Sequence, residues 1–175
     1  MSHLPQIDYD TASDEIRAAH DEEVSVRGRM TNMKRTLLHS PAAHRIYAEW
    51  FTLRAELSVI SDRPIWIFSH AISKASKSKI AVTFFRRALI NAGFDPQALE
   101  LSEEEALLDA FGKAIVADSN AIPADIWAKL KTRYDTRTLV DLVAFAGIMI
   151  ATAVFNNVVE VDFDPELEAF AETPD

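Results

Sequence analysis

Apolar residues recur at helical spacing along most of the chain, and capping residues divide this pattern into a series of predicted helices. Ser13 is a typical N-cap and Gly28 a typical helix end, so we predict a first helix between them. Ser40 followed by Pro41 opens the next helix, which runs to about Leu57. Later helices begin at Asp62 with Pro64, at Ser102 with Glu105, at Pro123 and at Asp135. A further helix runs from about Lys79 to Ala92 and ends at Gly93.

Two of the predicted helices are apolar on more than one face, which indicates burial on several sides. They run from Arg63 to Ala75 and from Leu142 to Val159. The second approaches the length of a membrane span, but Thr152 and two asparagines interrupt it and acidic residues bracket it. We therefore predict a central core helix and no membrane contact.

Composition favours an all-α fold of one domain. The 175 residues, 49% of them hydrophobic, can enclose one core, and only four are glycine. We predict a single helical bundle over residues 1–175, with an acidic C-terminal surface tail from about residue 160. The absence of cysteine excludes disulfides, thiolate nucleophiles and zinc–thiolate sites. His39 and His44 have no further ligand at metal-binding spacing, so we expect surface or capping roles for them, no metal site and no cofactor.

Charge is distributed unevenly along the chain. The net charge is −9, yet residues 63–94 contain six bases and no acid, whereas the tail contains acids and no base. Lys77, Lys79 and Arg86 lie at or near a predicted helix N-terminus and are candidates for binding a small anion. The alternative is that these bases face the acidic tail of this or a neighbouring subunit. So acidic a chain is not expected to bind nucleic acid, and because its N-terminus lacks the profile of a secretory signal we expect a cytoplasmic protein.

Two segments carry a family resemblance. SKASKSKIAVTFFRRALINAGFDP, residues 73–96, followed by LVDLVAFAGIMIATAVFNNVVEVD, residues 139–162, resembles the alkylhydroperoxidase D-like family, also called the carboxymuconolactone decarboxylase family. The resemblance extends from about residue 27 to Asp162. It implies a helical bundle of that type.

The peroxidase residues of that family are replaced here. Members that reduce peroxides carry Cys-x-x-Cys-x-x-x-His at the start of this helix and a glutamate about twelve residues before the first cysteine. In those members the second cysteine resolves a sulfenic acid, and the histidine and glutamate relay the proton. When the family motif is aligned at Gly93, the resemblance places the glutamate on Trp66. The two cysteines then fall on Ser78 and Ala81, and the histidine on Phe85. With the preceding helix as the anchor, the Cys, Cys and His positions become Ser76, Lys79 and Thr83. Neither set supports thiol peroxidase chemistry.

Other chemistry in the same region stays open. Trp66 and His70 are one helical turn apart, so His70 with Ser78 and the nearby bases is a candidate site that binds or acts on a small anionic molecule. The alternatives are a core histidine bonded to a backbone carbonyl and a serine that acts as a helix N-cap. Asn156 and Asn157 either line a pocket or bond across a subunit interface.

Three functions are compatible with these residues. The first is a cysteine-free relative that has lost catalysis and serves as a binding or assembly protein. The second is a decarboxylase-type enzyme acting on a lactone or another carboxylate, and the third is a peroxidase that works without thiols. Because relatives of this family form dimers, trimers or hexamers, we also predict a homo-oligomer.

Overall fold

The chain folds into helices without any strand over residues 2–171, which are the residues that this computed structural model describes. The helices are α1 (Asp14–Arg27), α2 (Asn32–Leu37), α3 (Pro41–Glu56), α4 (Asp62–Ala75), α5 (Lys79–Asn91), α6 (Glu103–Ala117), α7 (Ala124–Arg133), α8 (Thr136–Val159) and α9 (Pro165–Glu168), with a 3-10 helix at Leu57–Val59. The prediction of an all-α fold is confirmed.

Local capping explains several helix starts. The Ser13 side chain accepts a hydrogen bond from the Ile16 N–H at the start of α1. Ser102 and Glu105 form both bonds of a capping box at the start of α6, and Asp135 accepts from the Thr138 N–H at the start of α8. Each such cap stabilises its helix by about 1 kcal/mol, so these boundaries depend on residues close together in sequence.

The centre of the fold lies where α4, α6 and α8 meet. Phe68 of α4 stacks against Phe111 of α6, with 5.8 Å between ring centroids, and against Phe145 of α8, with 6.3 Å. Helices α4 and α6 approach closely because Gly112 has no side chain: a Cβ there would lie 3.1 Å from the Phe68 carbonyl oxygen. The predicted burial of the helix from Arg63 to Ala75 on several sides is thereby explained.

Helix α8 has a buried inner face and an exposed outer face. Leu142, Phe145, Ala146 and Met149 belong to the main core cluster. Within residues 2–171, α8 is the one helix long and apolar enough to cross a membrane by length and composition alone. Its inner face packs against the core, but its outer face is exposed, so the predicted burial of this helix on several sides is not seen within one chain.

The C-terminal segment differs from the predicted surface tail. Val161 and Leu167 are buried, the latter to 2% exposure. The Asp164 carboxylate accepts a hydrogen bond of 2.7 Å from the Asn32 N–H, and Arg29 pairs with Glu166. Apolar residues spaced among the acids thus anchor this segment against α2 and α5, while residues 172–175 of the predicted tail lie outside the described residues.

Candidate functional site

A cavity of about 250 Å³ opens between α3, α5 and α8. Five aromatic side chains line it: Tyr47, Trp50 and Phe51 come from α3, and Phe84 and Phe85 from α5. A wider depression of about 560 Å³ lies between α6 and α7, but five of its six lining residues are exposed, so it is an open surface. The aromatic cavity is therefore the better candidate for a small-molecule site.

Contacts within α3 and between α3 and α8 hold the aromatic wall in place. The Trp50 Nε1–H donates to the Met149 sulfur over 3.0 Å, and the Trp50 ring packs edge-on against Phe51 with 4.9 Å between centroids. The Tyr47 hydroxyl donates to the Ala151 carbonyl over 3.4 Å. These hydrogen bonds hold the Tyr47 and Trp50 rings on one side of the cavity, and neither bond requires a bound ligand.

Asn156 places an amide group inside this apolar cavity. The residue lines the cavity and is 5% exposed, and its Oδ1 has no hydrogen-bond partner among residues 2–171. A buried polar atom without a partner costs about 1–3 kcal/mol. The cavity thus offers a hydrogen-bonding position to a ligand, whereas the neighbouring Asn157 bonds the Ser76 carbonyl over 3.0 Å.

Three cations and one carboxylate line the cavity beside the aromatic rings. The Arg27 guanidinium lies 3.9 Å from the Phe51 ring centroid and the Lys34 ammonium 4.9 Å from it. Arg29, the third cation, pairs with Glu166, while Arg27 has no carboxylate partner among the described residues. Burial raises the pKa of the Asp164 carboxyl, and the hydrogen bond from the Asn32 N–H opposes that rise. The cations favour an anionic group at this part of the cavity.

Lys34 belongs to a buried acid–base cluster that also contains Glu23 and His44. We call these three residues the EKH cluster. Lys34 Nζ donates to Glu23 Oε1, and His44 Nε2 lies 3.4 Å from Glu23 Oε2. Burial lowers the pKa of His44 more than Glu23 raises it. The expected surface or capping role of His44 was wrong, because the residue is only 6% exposed, whereas His39 is exposed and contacts the Pro5 carbonyl.

Of the five pocket candidates around the substituted motif, two line the cavity. These are Ala81 and Phe85, both buried on α5. Trp66 instead packs against the main core cluster, and His70 is half-buried on α4 outside the cavity lining. Ser78 is fully buried at the N-cap position of α5, but its hydroxyl makes no capping bond.

The predicted anion-binding residues also lie outside the cavity lining. Lys77 and Lys79 are exposed and Arg86 is half-buried. Among the other bases of residues 63–94, Arg63 pairs with Glu105. Burial and the nearby Arg29 lower the pKa of Arg87, whereas Glu166 and Asp164 oppose that shift, so Arg87 faces the C-terminal segment.

Sequence reasoning missed the aromatic wall of α3. Tyr47, Trp50 and Phe51 have the i, i+3, i+4 spacing that places side chains on one helix face, and this signal could have identified them. It could not have shown that the face borders a cavity, because that depends on how α3 packs against α5 and α8.

The fold has close counterparts among solved structures. The chain superposes with a TM-score of 0.72 on an alkylhydroperoxidase AhpD core, an uncharacterized peroxidase-related protein from Ralstonia eutropha JMP134, at 17% identity over 99% of this chain and 98% of that one. An uncharacterized peroxidase-related protein from Silicibacter sp. TM1040 gives a TM-score of 0.71 at 14% identity, over 95% of this chain and 93% of that one. No family model and no curated protein sequence matches this chain. The resemblance noted in the sequence is thus confirmed for the architecture: this protein has the alkylhydroperoxidase D-like fold.

Proposed function

We propose that this protein binds a small molecule with an apolar body and an anionic group in the aromatic cavity, and that it has no thiol peroxidase activity. The observation that carries the proposal is the cavity itself, in which an amide oxygen of Asn156 without a partner in the described chain lies among aromatic rings. An aromatic enclosure with few polar groups is typical of small-molecule sites. The cations that line it support the choice of an anionic ligand.

Binding has more support than catalysis. A thiol peroxidase needs a thiolate, and the whole chain contains no cysteine. The alternative enzyme site at His70 and Ser78 has less support, since neither residue lines the cavity. We further propose that the protein works in the cytoplasm.

We also propose that the protein assembles with copies of itself through α8. The outer face of α8 consists of Val140, Val143, Ala144, Gly147, Ala151, Val154 and Val158. Val154 and Val158 are 55% and 70% exposed, and none of these seven residues is charged. An exposed apolar face of this length is typical of a protein interface, and its small residues let a second α8 approach closely. A membrane is a poorer partner, because the opposite face of α8 lies in the core.

A ligand screen tests the binding proposal. Small aromatic carboxylates and their neutral amides are added to the purified protein and the melting temperature is measured. A ligand that binds only the native state raises this temperature by mass action. We expect larger shifts with the carboxylates than with the amides. Failure of every compound to bind, checked by calorimetry, would overturn the proposal.

A further inference from the structure

The EKH cluster connects the cavity to a buried histidine through one lysine. Glu23 comes from α1, Lys34 from α2 and His44 from α3, and of the three only Lys34 lines the cavity. Glu23 is 5% exposed, so its carboxylate depends on its neighbours for charge compensation. Lys34 provides that compensation now, because its ammonium group donates to Glu23 Oε1.

The second carboxylate oxygen of Glu23, Oε2, faces the His44 ring nitrogen Nε2, which can take up a proton. His44 Nε2 is buried, lies 3.4 Å from Glu23 Oε2 and makes no hydrogen bond within the described residues. When His44 takes up a proton from solvent, its Nε2–H can donate to Oε2 as a charge-assisted hydrogen bond. In the described part of the chain Nε2 has no existing hydrogen bond to give up, so the imidazole only has to move closer to Glu23 Oε2 for this bond to form.

The charges that surround His44 come from each of the three helices. Glu22 and Glu23 of α1 favour the imidazolium form, while Lys34 of α2 and Arg45 of α3 oppose it. With His44 neutral, Glu23 and Lys34 balance one another. An anion that enters the cavity at Lys34 adds a negative charge to this group and thereby favours a proton on His44.

We infer that the EKH cluster is a proton-linked anion subsite of the cavity, in which an anionic ligand binds at Lys34 and a proton is taken up at His44. This inference rests on the proposed function and adds the position of the anionic group and the regulation of the site. By linkage, a ligand that promotes protonation binds more tightly when protons are abundant. The protein would therefore hold its ligand more tightly as the pH falls.

Naphthalene-2-sulfonate and naphthalene-2-sulfonamide are suitable probes, because they share an apolar body and differ in charge, and the sulfonate stays ionised in mildly acidic solution. Affinities are measured by calorimetry with the full chain. For the sulfonate we expect affinity to rise at least about threefold between about pH 7.5 and about pH 5.5, as one coupled proton allows. The sulfonamide should show no such change.

Two variants within the cluster and one control outside it assign the effect to the cluster. His44→Gln should abolish the pH dependence of sulfonate binding, whereas His39→Gln, at an exposed histidine, should retain it. Lys34→Gln should reduce the preference for the sulfonate over the sulfonamide, since Arg27 and Arg29 still line the cavity. The wild-type protein gives an independent readout, since the NMR titration midpoint of the His44 imidazole should move to higher pH when the sulfonate is bound.

The outcomes separate the two proposals. If neither probe binds at any pH, the cavity is not a ligand site for this class, and the proposed function falls together with the inference. If the probes bind while the sulfonate shows no pH dependence, or shows the same dependence in His44→Gln, only the inference is overturned. An unchanged His44 titration in the presence of saturating sulfonate would also overturn it, even if His44→Gln failed to fold.

Discussion

Ala81 and Phe85 lie one helical turn apart on α5, and both line the aromatic cavity. When the family motif is aligned at Gly93, the resemblance assigns to these two positions the resolving cysteine and the proton-relaying histidine of thiol peroxidases. A methyl group and a phenyl ring supply neither thiol nor proton transfer. The α5 face that would carry redox chemistry instead forms part of an apolar wall.

We therefore expect no thiol-dependent reduction of organic hydroperoxides. The assay follows hydroperoxide loss in the presence of a dithiol reductant, with the reductant alone as the control. Catalytic turnover by this cysteine-free chain would refute our interpretation of the substituted motif.

A larger side chain at Ala81 should close the cavity. Ala81 is buried at the cavity wall, so Ala81→Leu extends three carbon atoms into the space that a ligand would occupy. We expect at least about tenfold weaker binding of the naphthalene probes, corresponding to about 1.4 kcal/mol, with little loss of folding stability because the new side chain fills empty space. The measurements are calorimetry and urea unfolding.

Ala106→Leu is the matched control, since Ala106 is exposed on α6 and distant from the cavity lining. It should leave probe binding unchanged. Equal affinities of the wild type and Ala81→Leu would show that the probes bind elsewhere.

The parts of the fold that depend on local chemistry could be predicted from the sequence. Ser13 and the Ser102–Glu105 box bound helices through bonds between residues a few positions apart, so their residue types identify them. Short helix α2 was missed because six residues give too little periodicity. The C-terminal segment was read from its charge, whereas Leu167 is held by burial against distant helices.

The candidate site was harder to predict because its residues come from distant parts of the chain. Asn156 stood out in the sequence as a polar interruption of an apolar helix, and the structure places it in the cavity. The EKH cluster had no such signal, since Glu23 and His44 look like surface residues until α1, α2 and α3 pack together. Ser78 has the position of an N-cap without the bond, because residue type does not fix the side-chain direction.

Self-association through the outer face of α8 should be sensitive to charge. Val154→Glu would bury two carboxylates in an interface between identical copies, so we expect self-association to weaken at least about tenfold. Val26→Glu is the control, because Val26 is similarly exposed at 61% but lies on α1. Light scattering over a concentration series measures the effect. A wild-type protein that remains a monomer throughout would contradict the proposed interface.

Folding stability should fall in mild acid because of His44. Burial holds the pKa of His44 in the folded state below its usual value of 6.5, so below that pH the unfolded chain binds more protons at this residue. Unfolding is then favoured increasingly as the pH falls from about 6.5 to the folded-state pKa, and the penalty is absent at higher pH. Urea unfolding at about pH 7 and about pH 5.5 should show a smaller loss of stability in His44→Gln than in the wild type. Equal losses would mean that other groups dominate acid sensitivity.

The two helical glycines should respond oppositely to the same substitution. A Cβ at Gly112 would lie 3.1 Å from the Phe68 carbonyl oxygen and 3.1 Å from the Ile72 Cγ1, whereas a Cβ at Gly147 would meet nothing within 4 Å. Gly112→Ala must push α4 and α6 apart, so we expect a loss of about 1–3 kcal/mol in the free energy of unfolding. Gly147→Ala only improves helix propensity and should add about 0.5–1 kcal/mol. Urea unfolding at low protein concentration measures both effects apart from any association through α8. If the two variants changed stability equally, the close contact between α4 and α6 would not be what requires glycine at position 112.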